Sequence, residues 1–334
     1  MAAALKRSMG LAHATSLVVG IILGASIFVQ PSEITRLIQR PGKIMLAWLA
    51  AAALTVCGAL VCAELAAAFP ETGGVYVYLK RIFSPALGFL WGWAMFWSIH
   101  SGIIAAIAVV MARYTAYFFS GGESSVRVIA MAAILFLSVV NYGGIKAGSS
   151  VQVILTSVKI AALLLLVAIL FVFGKSSETS RSATDLMAGV SLRSYALAVA
   201  AGLFSFGGWH MVTYSAGETH EPRRTIPTAL IFGTLIVAFC YIALNAGYLH
   251  VMPAAEIATS SRVAADAAER AIGTRAGGMI SLLVIVSALG SLNGIILAGP
   301  RVYYAMARDG LAFRWLGTLD ERRQTPHFAI LAQG

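Results

Sequence analysis

Apolar residues gather in eight long runs, at about 16–37, 44–69, 86–119, 126–145, 149–173, 194–217, 226–250 and 279–305, with short polar stretches between them. A helix needs ~20 such residues to cross the hydrocarbon core, so the pattern predicts eight transmembrane helices. Two runs are interrupted. In the first, Gly20-Ile-Ile-Leu-Gly-Ala-Ser-Ile-Phe-Val-Gln-Pro31 splits a half-helix ending near Leu23 from another opening at Ile27, with Gly24-Ala25-Ser26 at the junction. Lipid cannot satisfy the backbone groups that such a break frees, so a break belongs where it lines a cavity or is buried in protein. Small residues could also serve only to let neighbouring helices approach. The sixth run repeats the interruption at Phe204-Ser205-Phe206-Gly207-Gly208-Trp209-His210. Two breaks with four continuous spans between them predict a five-span unit (1–173) followed by the start of a second (174–334). An odd number of spans forces the second copy to enter from the opposite side, which gives an inverted repeat with a binding site at its centre.

Composition fits this picture and narrows it. Hydrophobic residues are 59% of the 334 and charged residues 11%, against about 25% charged in a soluble domain. The first run is too long for the apolar core of a cleaved signal peptide and has no small-residue cleavage site after it. The net charge of +10 suits loops facing anionic headgroups, and no separate basic domain suggests nucleic acid. Cys57, Cys62 and Cys240 all fall inside apolar runs, so neither a disulfide framework nor a zinc site follows. Basic residues divide almost evenly between the two sides, so charge orients the chain only weakly, with Lys6 and Arg7 inside.

Polar residues within the spans are the next signal. Lys159, about 15 Å from the start of the fifth span, lies too deep to snorkel comfortably and needs a partner or a cavity. Glu64, near the end of the second span, is expected to pair with a backbone or loop group. Ser291 and Asn293 in the eighth span either bond a neighbouring helix or face the cavity. Residues 70–79 read as a structured re-entrant or interfacial loop, and Glu218 to Pro227 as a polar connection whose prolines stop one helix and start another. Residues 253–275 are expected to form an amphipathic helix outside the membrane.

At these positions the chain resembles the amino acid–polyamine–organocation superfamily, and within it the L-type amino acid transporters and their bacterial relatives. The resemblance rests on Gly20 to Phe28, on Ala63-Glu64-Leu65 through Pro70-Glu-Thr-Gly-Gly-Val-Tyr76, on Phe206-Gly-Gly-Trp209, and on Arg301-Val-Tyr-Tyr-Ala-Met-Ala-Arg308-Asp-Gly310. It implies an all-α integral membrane protein of LeuT type with broken helices 1 and 6. It further implies a multi-pass permease of a bacterial inner membrane that moves amino acids by alternating access, by exchange or proton coupling and without sodium. By the same resemblance, N–H groups of Ser26 and Ile27 bind the substrate carboxylate beside Gly24 and Ala25. Carbonyls of Ile22, Phe204, Ser205 and Gly207 take its ammonium, next to Gly208 and His210. This assignment agrees with the partial charges at helix ends. Phe204 looks like an aromatic gate, and Lys159 matches the lysine that stands at the sodium position of sodium-coupled relatives.

The chain departs from the family in four ways. Gly24-Ala25-Ser26 replaces the usual Gly-Ser-Gly, and His210 stands where L-type members often have Asn. No cysteine lies between Phe118 and Val126, so no disulfide-linked accessory subunit is expected. The sequence also reaches only a few residues into what should be span nine. The second repeat is therefore read as incomplete, and residues 1–334 alone are not expected to transport. The competing readings are a sensor that binds an amino acid without moving it, an inactive fragment of a permease, and a membrane enzyme. Against the last, His13, His100, His210, His220 and His250 offer no metal pair at i, i+3 or i+4. No cofactor is expected, and the apolar Ile103 and Ile107 fit small or branched neutral side chains only loosely.

Overall fold

A computed structural model describes residues 5–116, 118–119, 122–177, 189–274, 276–320, 322–323 and 325–334. Arg181 and Arg275, two of the basic residues between the spans, lie outside the described residues. Seven helical stretches are long and apolar enough to cross a membrane: Pro41–Ala68, Pro85–Ala116, Glu123–Tyr142, Ile145–Phe173, Leu192–Glu218, Pro222–Val251 and Ala276–Arg308. The eighth predicted span is the first one, which the structure builds in two short pieces. Helix α1 (Leu11–Ile22) starts five residues earlier than the apolar run predicts. It is followed by a 3-10 turn (Ala25–Phe28) and helix α2 (Gln30–Ile38).

The long spans are α3 (Pro41–Ala68), the α5 (Pro85–Ala94) and α6 (Ser101–Ala116) pair joined by a π-helical turn (Met95–His100), α7 (Glu123–Tyr142) and α8 (Ile145–Phe173). They continue with α9 (Leu192–Ser205), α10 (Pro222–Val251), α13 (Ala276–Ala298) and α14 (Pro300–Arg308). Helix α4 (Val75–Ile82) fills the predicted interfacial loop, and α15 (His327–Gln333) closes the chain. Helix α1 is packed among α8, α10 and α13, and seven of its residues, from Ala14 to Ile22, are buried. Many outward faces are apolar, as Val139, Val172 and Phe239 illustrate, and such faces are what lipid requires of a spanning helix.

Four local expectations are corrected. Residues 253–275 form two short helices, α11 (Ala254–Thr259) and α12 (Val263–Ile272), broken where Ser260 Oγ donates to Asp266. Pro227 does not start a helix. Pro222 does so at the first position of α10, and Pro227 lies inside the helix as its sixth residue, where it removes one backbone donor of the second turn. Glu64 lies on the exposed face of α3 and has no hydrogen bond or ion pair among the described residues. Glu218, read above as part of a polar connection, is fully buried and forms a two-pronged pair with Arg301, which is 1% exposed.

Candidate functional site

The two interrupted spans cross each other. Helix α1 touches the second half of span six, and α2 and its preceding turn touch α9. Helix α1 ends with Leu23 N–H donating to Val19 O and Gly24 N–H to Ile22 O, after which the chain turns extended at Gly24 (φ −100°, ψ −160°). Span six ends its first half at Ser205, passes through Phe206 and Gly207, and re-enters a 3-10 helix (Trp209–Glu218) from Gly208 at φ +104°. A side chain is disfavoured there on two counts. The positive φ suits glycine, and a Cβ would stand 2.4 Å from Ile21 Cγ2. The glycine is thus what lets the second break lie against the first.

Around this crossing the predicted residues fall as follows. Gly24 and Ile27 are buried, and Ala25 and Ser26 are half-buried in the turn that opens the second half of span one. The N–H groups that begin a helix have no intrahelical acceptor, and they carry the positive end of its dipole. Ser205 is buried, Gly208 and His210 are half-buried, and Gly207 is exposed. Phe204 is 71% exposed, so it does not close over the crossing in this conformation. Ile103 is likewise exposed and Ile107 half-buried.

Sequence reasoning missed Tyr241. Its hydroxyl on α10 lies between the two breaks, 2.8 Å from Ile22 O and 3.2 Å from Ser205 O. One hydroxyl hydrogen serves one acceptor at a time, so Tyr241 ties together two of the carbonyls expected to hold an ammonium. Its ring is fixed edge-on against Trp48 at 5.8 Å and tilted against Phe206 at 4.9 Å. A tyrosine mid-way along an apolar run looks like core in sequence, and only the folded crossing shows what its hydroxyl reaches.

Lys159 is fully buried at the middle of α8, with its ammonium donating to Gly20 O at 2.9 Å, Leu23 O at 2.7 Å and Ser287 O at 2.8 Å. All three of its donors are therefore used on carbonyls, two at the end of α1 and one on α13. Ser291 Oγ adds a donor to Gly20 O at 2.9 Å. Asn293 resolves the other half of the eighth-span expectation by bonding helices: it donates to Gly148 O and Gln152, and accepts from Asn141.

At the far end of α1, Ser8 and Met9 N–H both donate to Glu218 O, and His220 N–H returns to Met9 O. The Glu218 carboxylate meets Arg301 at 2.7 and 3.0 Å, and Arg301 also reaches Leu297 O. Nearby, Lys80 and Tyr76 both donate to Asp309. This end of the crossing is closed by charged pairs. No group of His, Cys, Asp and Glu among the described residues is arranged to hold a metal ion.

Seven membrane-crossing helices, one of them broken, together with a broken first span that crosses it, define an integral membrane protein of the LeuT-type fold. The chain belongs to the amino acid permease family, whose model matches residues 9–334. It is 34% identical over 332 residues to the serine/threonine exchanger SteT of Bacillus subtilis, covering 98% of this chain and 75% of that protein. It is 32% identical over 343 residues to the human b(0,+)-type amino acid transporter 1, covering 99% of this chain and 69% of the relative. Among solved structures, a Na+-coupled sialic acid symporter in a substrate-bound outward-open state superposes with a TM-score of 0.67 at 14% identity, over 97% of this chain and 71% of the other. At that identity the likeness is one of fold alone.

Proposed function

We propose that this protein moves amino acids across a membrane by alternating access, without sodium, through exchange or proton coupling. The observation that carries the reading is the crossing of two helix breaks of opposite polarity, locked on one side by the Lys159 ammonium. The turn at Ala25–Phe28 offers N–H groups, so the substrate carboxylate binds Ser26 and Ile27 beside Gly24 and Ala25. The ends of α1 and α9 offer carbonyls, so the substrate ammonium binds among Ile22, Phe204, Ser205 and Gly207, with Tyr241 holding the Ile22 and Ser205 carbonyls together. Gly208 and His210 border the site, and Phe204 swings over it on closure.

Lys159 occupies a point where three carbonyl oxygens converge, the ligand type that a hard cation takes. A resident ammonium there does the work of sodium and can pass on a proton when α1 moves. Residues 1–173 and 174–334 act as two inverted units, with the crossing between them. The relatives named above support amino acids as the substrate class, and the Bacillus exchanger supports a bacterial inner membrane. Cys57, Cys62 and Cys240 all lie within helices, so no disulfide-linked accessory subunit is proposed.

Thermal unfolding of the purified protein tests the reading. Free amino acids should raise the midpoint equally in sodium and in choline, and amino acid esters or N-acetylated amino acids should not. An ester that stabilises as well as its parent acid would remove the role of Ser26 and Ile27, and a sodium requirement would remove that of Lys159.

A further inference from the structure

Between α14 and α15 the chain runs along one end of the bundle, where α7 also finishes at Tyr142. An unbroken row of rings lies there. Phe313 stacks on Trp315 at 6.2 Å, Trp315 meets Phe328 at 6.1 Å, Phe328 meets His327 at 4.2 Å, and His327 meets Tyr142 at 6.0 Å. The Arg323 guanidinium closes the row, 5.1 Å above the Tyr142 ring. Phe313, Trp315 and Phe328 are 55%, 47% and 42% exposed. Exposed aromatics at the ends of membrane spans belong at headgroup level, where one side of the ring is apolar and the other wet.

At the arginine end of the row lies a cavity of about 640 Å³ lined by Tyr142, Leu319, Asp320, Arg322, Arg323 and His327. Its charges are unevenly committed. The Asp320 carboxylate accepts the backbone N–H groups of Arg322 at 3.0 Å and Arg323 at 2.7 Å, which hold it below the ordinary carboxylate range. Neither guanidinium forms an ion pair among the described residues, although the Arg323 charge acts on Asp320. His327 Nδ1 is buried with no hydrogen-bond partner. Two guanidinium forks outside any ion pair and a ring nitrogen without a hydrogen-bond partner, against one carboxylate already engaged, make a site for an anion with several acceptor oxygens.

We propose that this cavity holds the phosphate of an anionic phospholipid, whose acyl chains lie along the Phe328, Trp315 and Phe313 row. A free phosphate would use only the charged end of the site. A lipid uses both ends, and the row of exposed rings runs continuously into the cavity. Basic pockets between spans at this level bind acidic headgroups through the same charges.

The test is a titration of the purified full chain in detergent, with bound lipid counted by native mass spectrometry. The probes are phosphatidylglycerol, phosphatidylcholine and inorganic phosphate, applied to the parent, to the R322Q/R323Q double variant and to R322K/R323K. One phosphatidylglycerol should be retained in preference to phosphatidylcholine. Its retention should weaken about thirtyfold in R322Q/R323Q, at roughly tenfold or less per basic charge removed, and survive largely in R322K/R323K. Equal retention of the two lipids, retention unchanged in R322Q/R323Q, or displacement by millimolar inorganic phosphate would each overturn the proposal.

Discussion

The protein buries two cations at opposite ends of α1 and treats them differently. Arg301 is neutralised by a carboxylate on another span, at 2.7 and 3.0 Å, whereas Lys159 has only carbonyl oxygens around it, from Gly20, Leu23 and Ser287. An ion pair buried this way is strongly destabilising when one half is removed, because the other charge is left uncompensated. A lysine on carbonyls keeps its charge unneutralised and its partners replaceable. Two of those partners belong to the last turn of α1, so any shift of α1 changes what Lys159 can bond. The arginine site reads as a latch, and the lysine site as a sensor of where α1 stands.

Breaking the latch is the largest expected effect. Glu218→Gln or Arg301→Gln should each cost about 3–5 kcal/mol, seen as a fall in the unfolding midpoint of the detergent-solubilised protein. The double variant Glu218→Leu with Arg301→Met should recover most of that loss, because no charge is left unpaired. If the double variant were as unstable as either single one, the pair would not be what holds this end of α1.

Lys159→Met should cost less, about 1.5–3 kcal/mol for the charge-assisted bonds it removes, partly offset because Ser291 still donates to Gly20 O. Membrane insertion should be unchanged, while stabilisation by amino acids should disappear. Lys159→Arg should not rescue it, since the ammonium already stands 2.8 Å from where a Cβ on Gly290 would be and a guanidinium is larger. Amino acid binding that survived in Lys159→Met would place the lysine with the latch, as a structural cation only.

Gly208→Ala comes next and acts on the crossing itself. It combines a positive φ with a Cβ 2.4 Å from Ile21 Cγ2, together worth about 1–3 kcal/mol once Ile21 gives way. The expected result is a protein that inserts but whose breaks no longer touch, with amino acid stabilisation lost before the fold is. Full binding in Gly208→Ala would show that the two breaks need not lie in contact.

How much of this was legible in the sequence depended on whether a residue's role was local. Both breaks could be read because glycine pairs and small polar residues stand out in an apolar run, and Lys159 stood out by depth alone. Ser291 and Asn293 were flagged, but whether they faced a helix or a cavity depended on spans 271 and 152 residues away. Glu218 was misread for the same reason. It stands beside the charged and turn-forming Glu221-Pro222-Arg223, so it looked like part of a loop. In the fold its carbonyl accepts from the N-terminal segment and its carboxylate meets Arg301, contacts with no periodic signal. Pro227 misled because a proline in the first turns of a helix resembles one that starts it.

Tyr241 offers the smallest and finest break of the comparison. Tyr241→Phe keeps the ring that packs on Trp48 and Phe206 and removes only the hydroxyl shared by Ile22 O and Ser205 O. Stability should fall by about 1 kcal/mol, the ordinary net value of one buried hydrogen bond. The effect on binding should be more informative. The hydroxyl holds two carbonyls from different breaks on one point, so without it they lose their convergence. The amino acid concentration giving half-maximal stabilisation should then rise several-fold, while the maximal shift in unfolding midpoint stays the same. If that concentration fell, Tyr241 would be a competitor that the substrate ammonium displaces. An unchanged concentration would mean that Ile22 and Ser205 do not both bind the ammonium, and the carbonyls of Phe204 and Gly207 would have to carry it alone.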